Sequence, residues 1–317
     1  MKHLFLGLIA LLGLLLMVLP LLPPSLAGSF IYVSLLGVPL MLLQLLIAIV
    51  LFVKKQHPWR WIYISLCAAN IPLMYQYCPS QEAPEPDSDR SLTFVSWNTT
   101  NFHIQADTLR AAAAFIRAQQ PDIICLQEVP HNNLLPWDSI RAAFPDHPYQ
   151  YKNERDDEVL NLGILSRYPL SDIRTHYFDP GYNKMASLCV TTPLDTFRLW
   201  NVHLQTTGHP TRFVDNARER NRQARLLRRY IEADSLPTLV CGDLNDNPAS
   251  YTYRTLKRGR KDAYRQKGQR YTGSYQPLGD WLRIDYLFCP HSSHVLRYEL
   301  LENPWSDHKM QVATIDL

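Results

Sequence analysis

The chain has 317 residues, of which 46% are hydrophobic, and its formal net charge at pH 7 is +3. This length allows one large domain or two ordinary ones, and the ordinary apolar content with only 6 cysteines excludes a disordered, collagen-like or disulfide-stapled chain. The charges are unevenly distributed, because residues 1–78 contain no Asp or Glu and only Lys2, Lys54, Lys55 and Arg60 as basic residues. The positive net charge therefore belongs to an apolar N-terminal region and does not indicate nucleic-acid binding.

Two long uncharged stretches, Leu4–Leu22 and Phe30–Val53, open the chain. A bilayer core of about 30 Å requires about 20 helical residues, so each stretch is long enough to cross a membrane. A third and weaker span, Trp61–Cys78, contains Asn70 and Pro72 and carries aromatic residues at its two ends, as is typical of membrane interfaces. The alternative for this third stretch is an interfacial or re-entrant segment. The sequence therefore predicts about three transmembrane helices.

The loops between these stretches predict an orientation. Lys54, Lys55 and Arg60 lie between the second and third stretches, whereas the loop 23–28 carries no charge. The positive-inside rule places the basic loop in the cytoplasm, and three spans then deliver the rest of a multi-pass protein to the extracytoplasmic side. A cleavable signal peptide is an alternative for the first stretch, with 25–27 as its processing site, and it leaves that side unchanged.

An acidic, Pro-rich segment separates the apolar region from the rest of the chain. We divide the sequence into a transmembrane region, 1–78, a solvated linker, 79–90, and a soluble domain, 91–317. Helices are predicted over Thr108–Gln119 and, with a clear amphipathic stripe, over Thr211–Ala233. Strands are predicted at Ser91–Trp97, Ile123–Leu126, Leu162–Ser166, Ala186–Thr191, Phe197–His203, Pro237–Cys241, Arg283–Phe288 and Val312–Leu317. This alternation predicts one α/β domain of two packed sheets with outer helices.

Polar residues accompany most of these apolar strands, usually where a strand ends. A carboxylate beside a buried strand is costly unless it is paired or binds a metal. The residues that share this placement are Asn98, Glu128, His203, Asp243, Asn245, Asp285, Asp307 and His308. Oxygen donors suit Mg²⁺ or Mn²⁺, whereas zinc would favour His and Cys. We interpret the set as a site for metal-assisted phosphoryl hydrolysis, in which the histidines donate a proton or stabilise phosphate charge.

Seven short motifs that contain these residues occur in order along the soluble part. They are Ser96–Asn98, Leu126–Glu128, Gly163–Pro169, Asn201–Leu204, Gly242–Asp246, Arg283–Tyr286 and Ser306–His308. Together they resemble the endonuclease/exonuclease/phosphatase superfamily, and the resemblance spans about Leu92–Leu317. It implies the DNase-I-like fold, a four-layer α/β sandwich of two packed mixed β-sheets flanked by helices, here preceded by about three transmembrane helices.

The resemblance also implies which residues bind the ion. Asn98 and Glu128 resemble the metal-binding pair of the family, and Asp307 resembles a residue close to the same ion. The implied cofactor is Mg²⁺, or Mn²⁺ in its place.

The remaining matches imply catalytic roles. Asp243 resembles the group that orients and deprotonates the attacking water, and Asn245 resembles a contact to the scissile phosphate. His308 matches the histidine that stabilises the phosphorane-like state, and Asp285 matches the carboxylate that holds its tautomer. His203 matches a second histidine, which would donate a proton to the leaving oxygen.

The sequence therefore predicts a membrane-anchored, Mg²⁺-dependent phosphohydrolase that attacks its substrate with water in a single step. We favour a phosphodiesterase over a monoesterase, because a proton donor at His203 suits a poorer leaving group. Nucleic acid, nucleotides and lipid head groups remain open as substrates, so a sphingomyelinase-like lipid phosphodiesterase is an alternative to a nuclease. A catalytically silent, membrane-tethered binding module on the same fold is the alternative from another class. The bilayer is an implied partner, and no protein partner is implied.

Two segments are strongly basic, Thr211–Arg229 and Arg254–Arg270. We favour a solvated helix face and loop as their interpretation, because runs of charge are usually exposed to solvent. A surface that follows nucleic-acid phosphates, or one that contacts anionic lipid, is the alternative.

Overall fold

The computed structural model describes residues 2–27, 33–34, 36–80, 90–100, 106–130, 135–153, 160–178, 182–208 and 210–317. Most of the predicted linker, 81–89, lies outside the described residues. The N-terminal part consists of helices. They are α1 (Lys2–Val18), which continues as a 3-10 turn over Leu19–Leu21, the short α2 (Pro24–Ala27), α3 (Gly37–Val53) and α4 (Trp59–Tyr77).

Helices α1 and α4 run parallel to each other, and α3 runs antiparallel to both. The Tyr63 hydroxyl donates to the carbonyl of Leu6 at 2.8 Å, and Asn70 Nδ2 donates to the carbonyl of Gly13 at 3.3 Å. Both pairs are 57 residues apart, which fixes the parallel register of α1 and α4. A few polar side chains that bond to backbone carbonyls across an apolar bundle are typical of helices that associate in lipid.

The prediction of about three membrane spans is corrected by the helix lengths and compositions. Among the described residues, one helical stretch, Lys2–Leu21 with 20 residues, is long and apolar enough to cross a membrane. Helix α3 is apolar but its 17 residues, Gly37–Val53, are fewer than a full span requires, and the predicted start of this span at Phe30 lies outside the described residues. Helix α4 has 19 residues, but its polar residues and Pro72 make it too polar to meet the same criterion. The structure thus supports one candidate span.

The rest of the chain forms two six-stranded sheets. The first sheet has the order β11-β12-β1-β2-β4-β3, and the second has the order β5-β6-β7-β8-β10-β9. The strands are β1 (Ser91–Asn98), β2 (Ile123–Pro130), β3 (Tyr149–Lys152), β4 (Leu160–Ser166), β5 (Leu170–Tyr177), β6 (Lys184–Thr191), β7 (Thr196–His203), β8 (Thr238–Asp243), β9 (Arg260–Asp262), β10 (Asp285–Pro290), β11 (His294–Leu301) and β12 (Met310–Asp316). The helices are α5 (Ala106–Arg117), α6 (Trp137–Ala142), α7 (Phe213–Ala233), α8 (Tyr251–Lys257) and α9 (Ala263–Lys267).

Apolar side chains from both sheets fill the space between them and form the main core. Phe94 and Ile123 of the first sheet pack with Leu199 and Leu287 of the second, and all are buried. Helices α5 and α6 cover the outer face of the first sheet, and α7 and α8 cover the outer face of the second. The predicted pair of packed mixed sheets flanked by helices is therefore confirmed.

Each sheet contains one parallel pair of strands joined through a helix. Strands β1 and β2 are joined through α5, and β7 and β8 through α7. Because the carboxyl ends of parallel neighbours lie at one edge, Asn98 pairs with Gln127 in register, and His203 pairs with Asp243. These two units place the polar strand ends of both sheets at the same edge of the sandwich.

Strands β3, β5, β9 and β11 were not predicted from the sequence. All four lie at the outer ends of the two sheets, where each strand has a neighbouring strand on only one side within the described residues. Strand β5 is largely exposed along its length and lacks the apolar pattern of a central strand. Most predicted boundaries also shift by a few residues. For example, β2 continues to Pro130, β8 extends to Asp243, and β10 begins at Asp285, two residues after the predicted start.

Candidate active site

The eight predicted site residues converge on one cavity of about 370 Å³ at the edge where the parallel strands end. Six of them line it, namely Glu128, His203, Asp243, Asn245, Asp307 and His308. Asn98 and Asp285 lie directly behind this lining, because each bonds to a lining residue. Residues from both sheets thus lie around a single cavity, while their predicted chemical roles stay predictions.

Asn98 joins two carboxylates that come from different sheets. Its Nδ2 donates to Glu128 Oε1 at 3.1 Å and to Asp243 Oδ2 at 3.1 Å. Its Oδ1 accepts from the backbone N–H of Thr100 at 3.0 Å. Glu128 has a φ of 52° and sits where the pairing of β2 with β4 is irregular, so the strand turns its carboxylate toward the cavity.

Asp243 lies between two imidazole rings. Its Oδ2 is 3.9 Å from His203 Nε2 and 3.9 Å from His308 Nε2. Burial, followed by the charge of Asp285, raises the pKa of Asp243 to about 7. Such a carboxyl group exchanges a proton near neutral pH, which is the property required of a general base.

Asn245 holds Asp243 from the loop after β8. Its backbone N–H donates to Asp243 Oδ1 at 2.7 Å, and its Nδ2 donates to Leu204 O at 3.1 Å and to Asp243 Oδ2 at 3.2 Å. Gly242, which precedes Asp243, has a φ of 128°, and a Cβ at this position would lie 2.1 Å from Val202 O. Glycine is therefore required where β8 approaches β7 beneath the site.

His308 is oriented by Asp285. The His308 Nδ1 lies 2.8 Å from Asp285 Oδ2, so Nδ1 carries a proton and Nε2 faces the cavity, 3.8 Å from Asp307 Oδ1. Burial alone would lower the pKa of His308, but the carboxylates of Asp285, Asp243 and Asp307 outweigh it and raise the pKa to about 10. The ring is therefore a buried imidazolium at neutral pH.

His203 differs from His308 in its charge. Burial lowers the pKa of His203, while Glu128, whose Oε1 is 3.4 Å from Nε2, opposes that shift. The nearby ammonium of Lys184 lowers the pKa of His203 further. His203 is therefore the neutral imidazole of the pair at neutral pH.

The donor atoms fit a divalent cation by their charge. Glu128, His203 and Asp243 offer three ligand atoms within 4.8 Å of one another, and a second such group consists of Asp243, Asp285 and His308. Within the described part of the chain, these carboxylates form ion pairs only with the two histidines and with no Lys or Arg. A buried anionic cluster of this kind is stabilised by a hard cation.

The predicted ligand set is only partly assembled in the structure. Glu128 belongs to a group of metal-ligating atoms, but Asn98 turns its Nδ2 toward the carboxylates, and Asp307 is absent from both groups found among the described residues. Asp307 accepts instead from the hydroxyl of Thr100. The assignment of Asn98 and Asp307 as ligands therefore stays a prediction.

Several residues of the site were not predicted. Gln127 Nε2 donates to Asn201 Oδ1 at 2.6 Å, and Asn201 Nδ2 donates to the carbonyls of Leu126 at 3.0 Å and Gly163 at 3.1 Å. This buried network joins the two sheets beneath the cavity. Both Gln127 and Asn201 lie within the quoted motifs, and Gln127 also directly follows the predicted strand Ile123–Leu126, but these signals assign neither residue a role. Tyr275, whose ring packs against His308 at 5.3 Å, has no such signal.

Comparison with known families decides the classification. A family model described as the Endonuclease/Exonuclease/phosphatase family matches residues 95–308. The chain belongs to the endonuclease/exonuclease/phosphatase family. Its fold is thus that of a family of phosphoester hydrolases that use divalent metals, while no curated protein matches the chain in sequence.

Solved structures of this family have the same fold at low sequence identity. An endonuclease/exonuclease/phosphatase from Beutenbergia cavernae is 21% identical with a TM-score of 0.55, and the match covers 72% of each chain. A truncated TDP2 from Caenorhabditis elegans is 19% identical with a TM-score of 0.56, and the match covers 72% of this chain and 98% of that one. A mannosyl-6-phosphatase from Bacteroides thetaiotaomicron is 17% identical with a TM-score of 0.55, covering 71% of this chain and 100% of that one.

Proposed function

We propose that this protein is a membrane-anchored, divalent-metal-dependent phosphohydrolase, and specifically a phosphodiesterase. The observation that carries the proposal is the position of Asp243. Its carboxylate accepts from Asn98 and Asn245 and faces both His203 and His308 across the cavity. A base held by amides, with an imidazolium on the opposite side, suits the attack of water on a phosphate.

Each residue of the site then has a defined role. Asp243 accepts the proton of the attacking water, and Asn245 keeps that carboxylate oriented. His308, protonated and held by Asp285, offers its Nε2–H to the negative charge that develops on phosphate oxygens. An anionic phosphate in the cavity would raise the pKa of His203, because an opposite charge favours imidazolium, and His203 then protonates the leaving oxygen.

A divalent cation, Mg²⁺ or Mn²⁺, fits the acidic side of this cavity. Glu128, Asn98 and Asp307 are the residues that we expect to hold it. When bound, the ion offsets phosphate charge and polarises the phosphoryl group.

We also propose that the helical region is a membrane anchor and that the catalytic domain is extracytoplasmic. Large exposed hydrophobic side chains are concentrated in this region, including Leu4, Leu8, Leu11, Leu46, Ile49 and Phe52. Lys2 and Gln56 meet at one end of the bundle, whereas Tyr77 contacts the catalytic domain at the other. If one helix, or any odd number of helices, crosses the membrane, the catalytic domain lies on the side opposite the basic end of the bundle, and the positive-inside rule places that basic end in the cytoplasm.

A membrane lipid is a specific candidate for the substrate. The Tyr77 hydroxyl at the end of α4 donates to Asn247 Oδ1 at 3.1 Å, and Asn247 lines the catalytic cavity. The anchor thus lies against one wall of the site. A lipid head group is therefore a substrate class supported by position, next to nucleic acid and nucleotides.

Hydrolysis of bis-p-nitrophenyl phosphate by the purified full chain in detergent tests the catalytic proposal. We expect turnover with Mg²⁺ that is abolished by a chelator and restored by added Mg²⁺ or Mn²⁺. Absence of metal-dependent turnover would support the silent binding module instead. A panel of single-stranded DNA, RNA, nucleotides, phosphatidylcholine and sphingomyelin then identifies the substrate class.

An alkaline phosphatase fusion after Arg90 tests the orientation. Activity of the fusion agrees with an extracytoplasmic domain. An inactive fusion contradicts it.

A further inference from the structure

A second large cavity lies between the helical region and the catalytic domain, away from the catalytic residues. Its volume is about 970 Å³. One wall consists of the end of α1 and the second half of α4, with Met17, Pro20, Leu21, Ala69, Pro72 and Leu73. This wall is apolar, and it belongs to the end of the bundle that carries the catalytic domain.

The opposite wall is strongly basic. Helix α8 and the turn into β9 contribute Arg254, Lys257, Arg258 and Arg260 to it, and α7 contributes Arg228. Arg228 pairs with Glu232 at 2.6 Å, and Glu232 also faces Arg258 and Arg260 electrostatically. One carboxylate thus stands against several cations on this wall.

Two of these cations are available to a ligand. Arg254 and Arg258 are exposed, and in the described part of the chain neither makes an ion pair. Lys257 is already engaged, because its Nζ donates to Gln76 Oε1 at 2.8 Å. Burial, followed by the charge of Arg228, lowers the pKa of Arg260. A lowered pKa is expected where positive charges lie close together with too few anions to balance them.

A ligand that contacts both walls must carry a negative charge for the basic wall and a hydrocarbon part for the apolar wall. We propose that this cavity binds an anionic phospholipid of the bilayer, with its phosphate between Arg254 and Arg258 and its acyl chains along α1 and α4. The proposal rests on the proposed membrane anchor but not on the proposed catalysis. Aromatic residues at the same end of α4 agree with this depth, since Tyr75 packs under the guanidinium of Arg265 at 3.9 Å and such rings favour the head-group level.

The apolar wall decides between lipid and other anions. Inorganic phosphate or a nucleic acid would use the arginines but would leave Met17, Leu21 and Leu73 without a partner from the ligand. A phospholipid contacts both walls, because its charged head group suits the basic wall and its hydrocarbon chains suit the apolar wall.

Thermal unfolding of the full chain in a zwitterionic detergent tests the proposal. Phosphatidylglycerol is expected to raise the Tm in a saturable manner, because a ligand that binds only the folded state stabilises it. Phosphatidylcholine, inorganic phosphate and a short single-stranded DNA are expected to leave the Tm unchanged. An equal shift with phosphatidylcholine, phosphate or DNA would overturn the assignment to an anionic phospholipid.

A pair of double variants completes the test. R254Q/R258Q should require at least tenfold more phosphatidylglycerol for half of the Tm shift, whereas R110Q/R141Q, which alters exposed arginines of α5 and α6, should respond as the parent does. A cooperative thermal transition of each variant without added lipid shows that it is folded, and turnover of bis-p-nitrophenyl phosphate, measured separately, distinguishes failure of this proposal from failure of the catalytic one. An unchanged phosphatidylglycerol response in folded R254Q/R258Q contradicts the proposed site.

Discussion

Asp285 Oδ2 lies 2.8 Å from Nδ1 of His308, and both side chains are buried at the edge shared by the two sheets. This contact fixes the tautomer of His308 and favours its charged form, because a carboxylate stabilises an adjacent imidazolium. Asp285 is also the largest influence after burial that raises the pKa of Asp243, so one carboxylate acts on both the imidazolium of His308 and the base of the site. The pH dependence of turnover should therefore report on Asp285.

We expect a bell-shaped pH profile for turnover. The rate should rise as Asp243 loses its proton. The pKa of Asp243 is about 7 in the metal-free site, and a bound cation should move this limb below pH 7, because a cation favours the carboxylate. The rate should fall as His308 loses its proton near pH 10. In Asp285→Asn both limbs should move to lower pH, since the pKa values of Asp243 and His308 both fall.

The same substitution should reduce kcat by about 10²-fold or more, because general acid–base groups contribute factors of about 10² to 10⁴. Initial rates across the pH range for Asp285→Asn and for the exposed-site control Asp138→Asn measure this. An unchanged profile in Asp285→Asn, or limbs displaced to higher pH, would refute the assigned role.

Glu128→Gln should weaken metal binding without unfolding the protein. The Gln side chain keeps an oxygen that can accept from Asn98, but it removes one negative charge from the acidic side of the cavity. We expect the Mg²⁺ concentration for half-maximal turnover to rise about tenfold or more, as is typical when support for a metal is lost. A Mg²⁺ titration of this variant equal to that of Glu299→Gln would argue against a metal at Glu128.

The polar network beneath the site should contribute to stability. Asn201→Leu removes the nearest acceptor of the buried Gln127 Nε2, which keeps only the longer contacts to Ser96 Oγ at 3.3 Å and Cys125 O at 3.5 Å. It also leaves the carbonyls of Leu126 and Gly163 without their side-chain donor. An unsatisfied buried polar group costs about 1–3 kcal/mol, so the free energy of unfolding should fall by at least that amount. Chemical unfolding followed by tryptophan fluorescence measures it, and a loss of less than about 0.5 kcal/mol would show that the network is dispensable.

The contact between the anchor and the catalytic domain can be tested with two tyrosines of one helix. Tyr77→Phe removes the hydrogen bond to Asn247 Oδ1, which still accepts from the N–H of Ala249 at 2.8 Å, so the loss should be about 0.5–1.5 kcal/mol. Tyr75→Phe should be neutral, because the Tyr75 hydroxyl makes no hydrogen bond within the described residues. Equal stabilities of the two variants in detergent would show that the Tyr77 bond does not hold the anchor.

Which residues gather at the cavity could be predicted from the sequence, because most of them follow apolar strands. Asp243, for example, follows the apolar run Leu239–Cys241, which is typical of a buried strand, with only Gly242 between them. Tyr275 and Lys184 lack such a signal, since an aromatic residue in a loop and a lysine at the start of a strand are common in any domain. Their places at the site depend on packing between distant parts of the chain.

The helical region shows a different limit. Its apolar character was evident, but the contact of Tyr77 with Asn247 joins residues 170 positions apart, and no local pattern encodes such a contact. The number of membrane spans was overestimated, since one helical stretch among the described residues, Lys2–Leu21, is long and apolar enough to cross a membrane. Edge strands such as β5 were missed for a related reason, since their exposed residues lack an apolar period.

Asp243 is the central claim of the proposed mechanism, and one measurement tests it most directly. The kcat for bis-p-nitrophenyl phosphate at saturating Mg²⁺ is compared between Asp243→Asn and Asp146→Asn, which alters an exposed aspartate far from the cavity. Loss of a general base predicts a decrease of about 10²- to 10⁴-fold for Asp243→Asn and no change for Asp146→Asn. Turnover by folded Asp243→Asn within about threefold of the parent would contradict the mechanism, because that difference is far below the contribution of a general base.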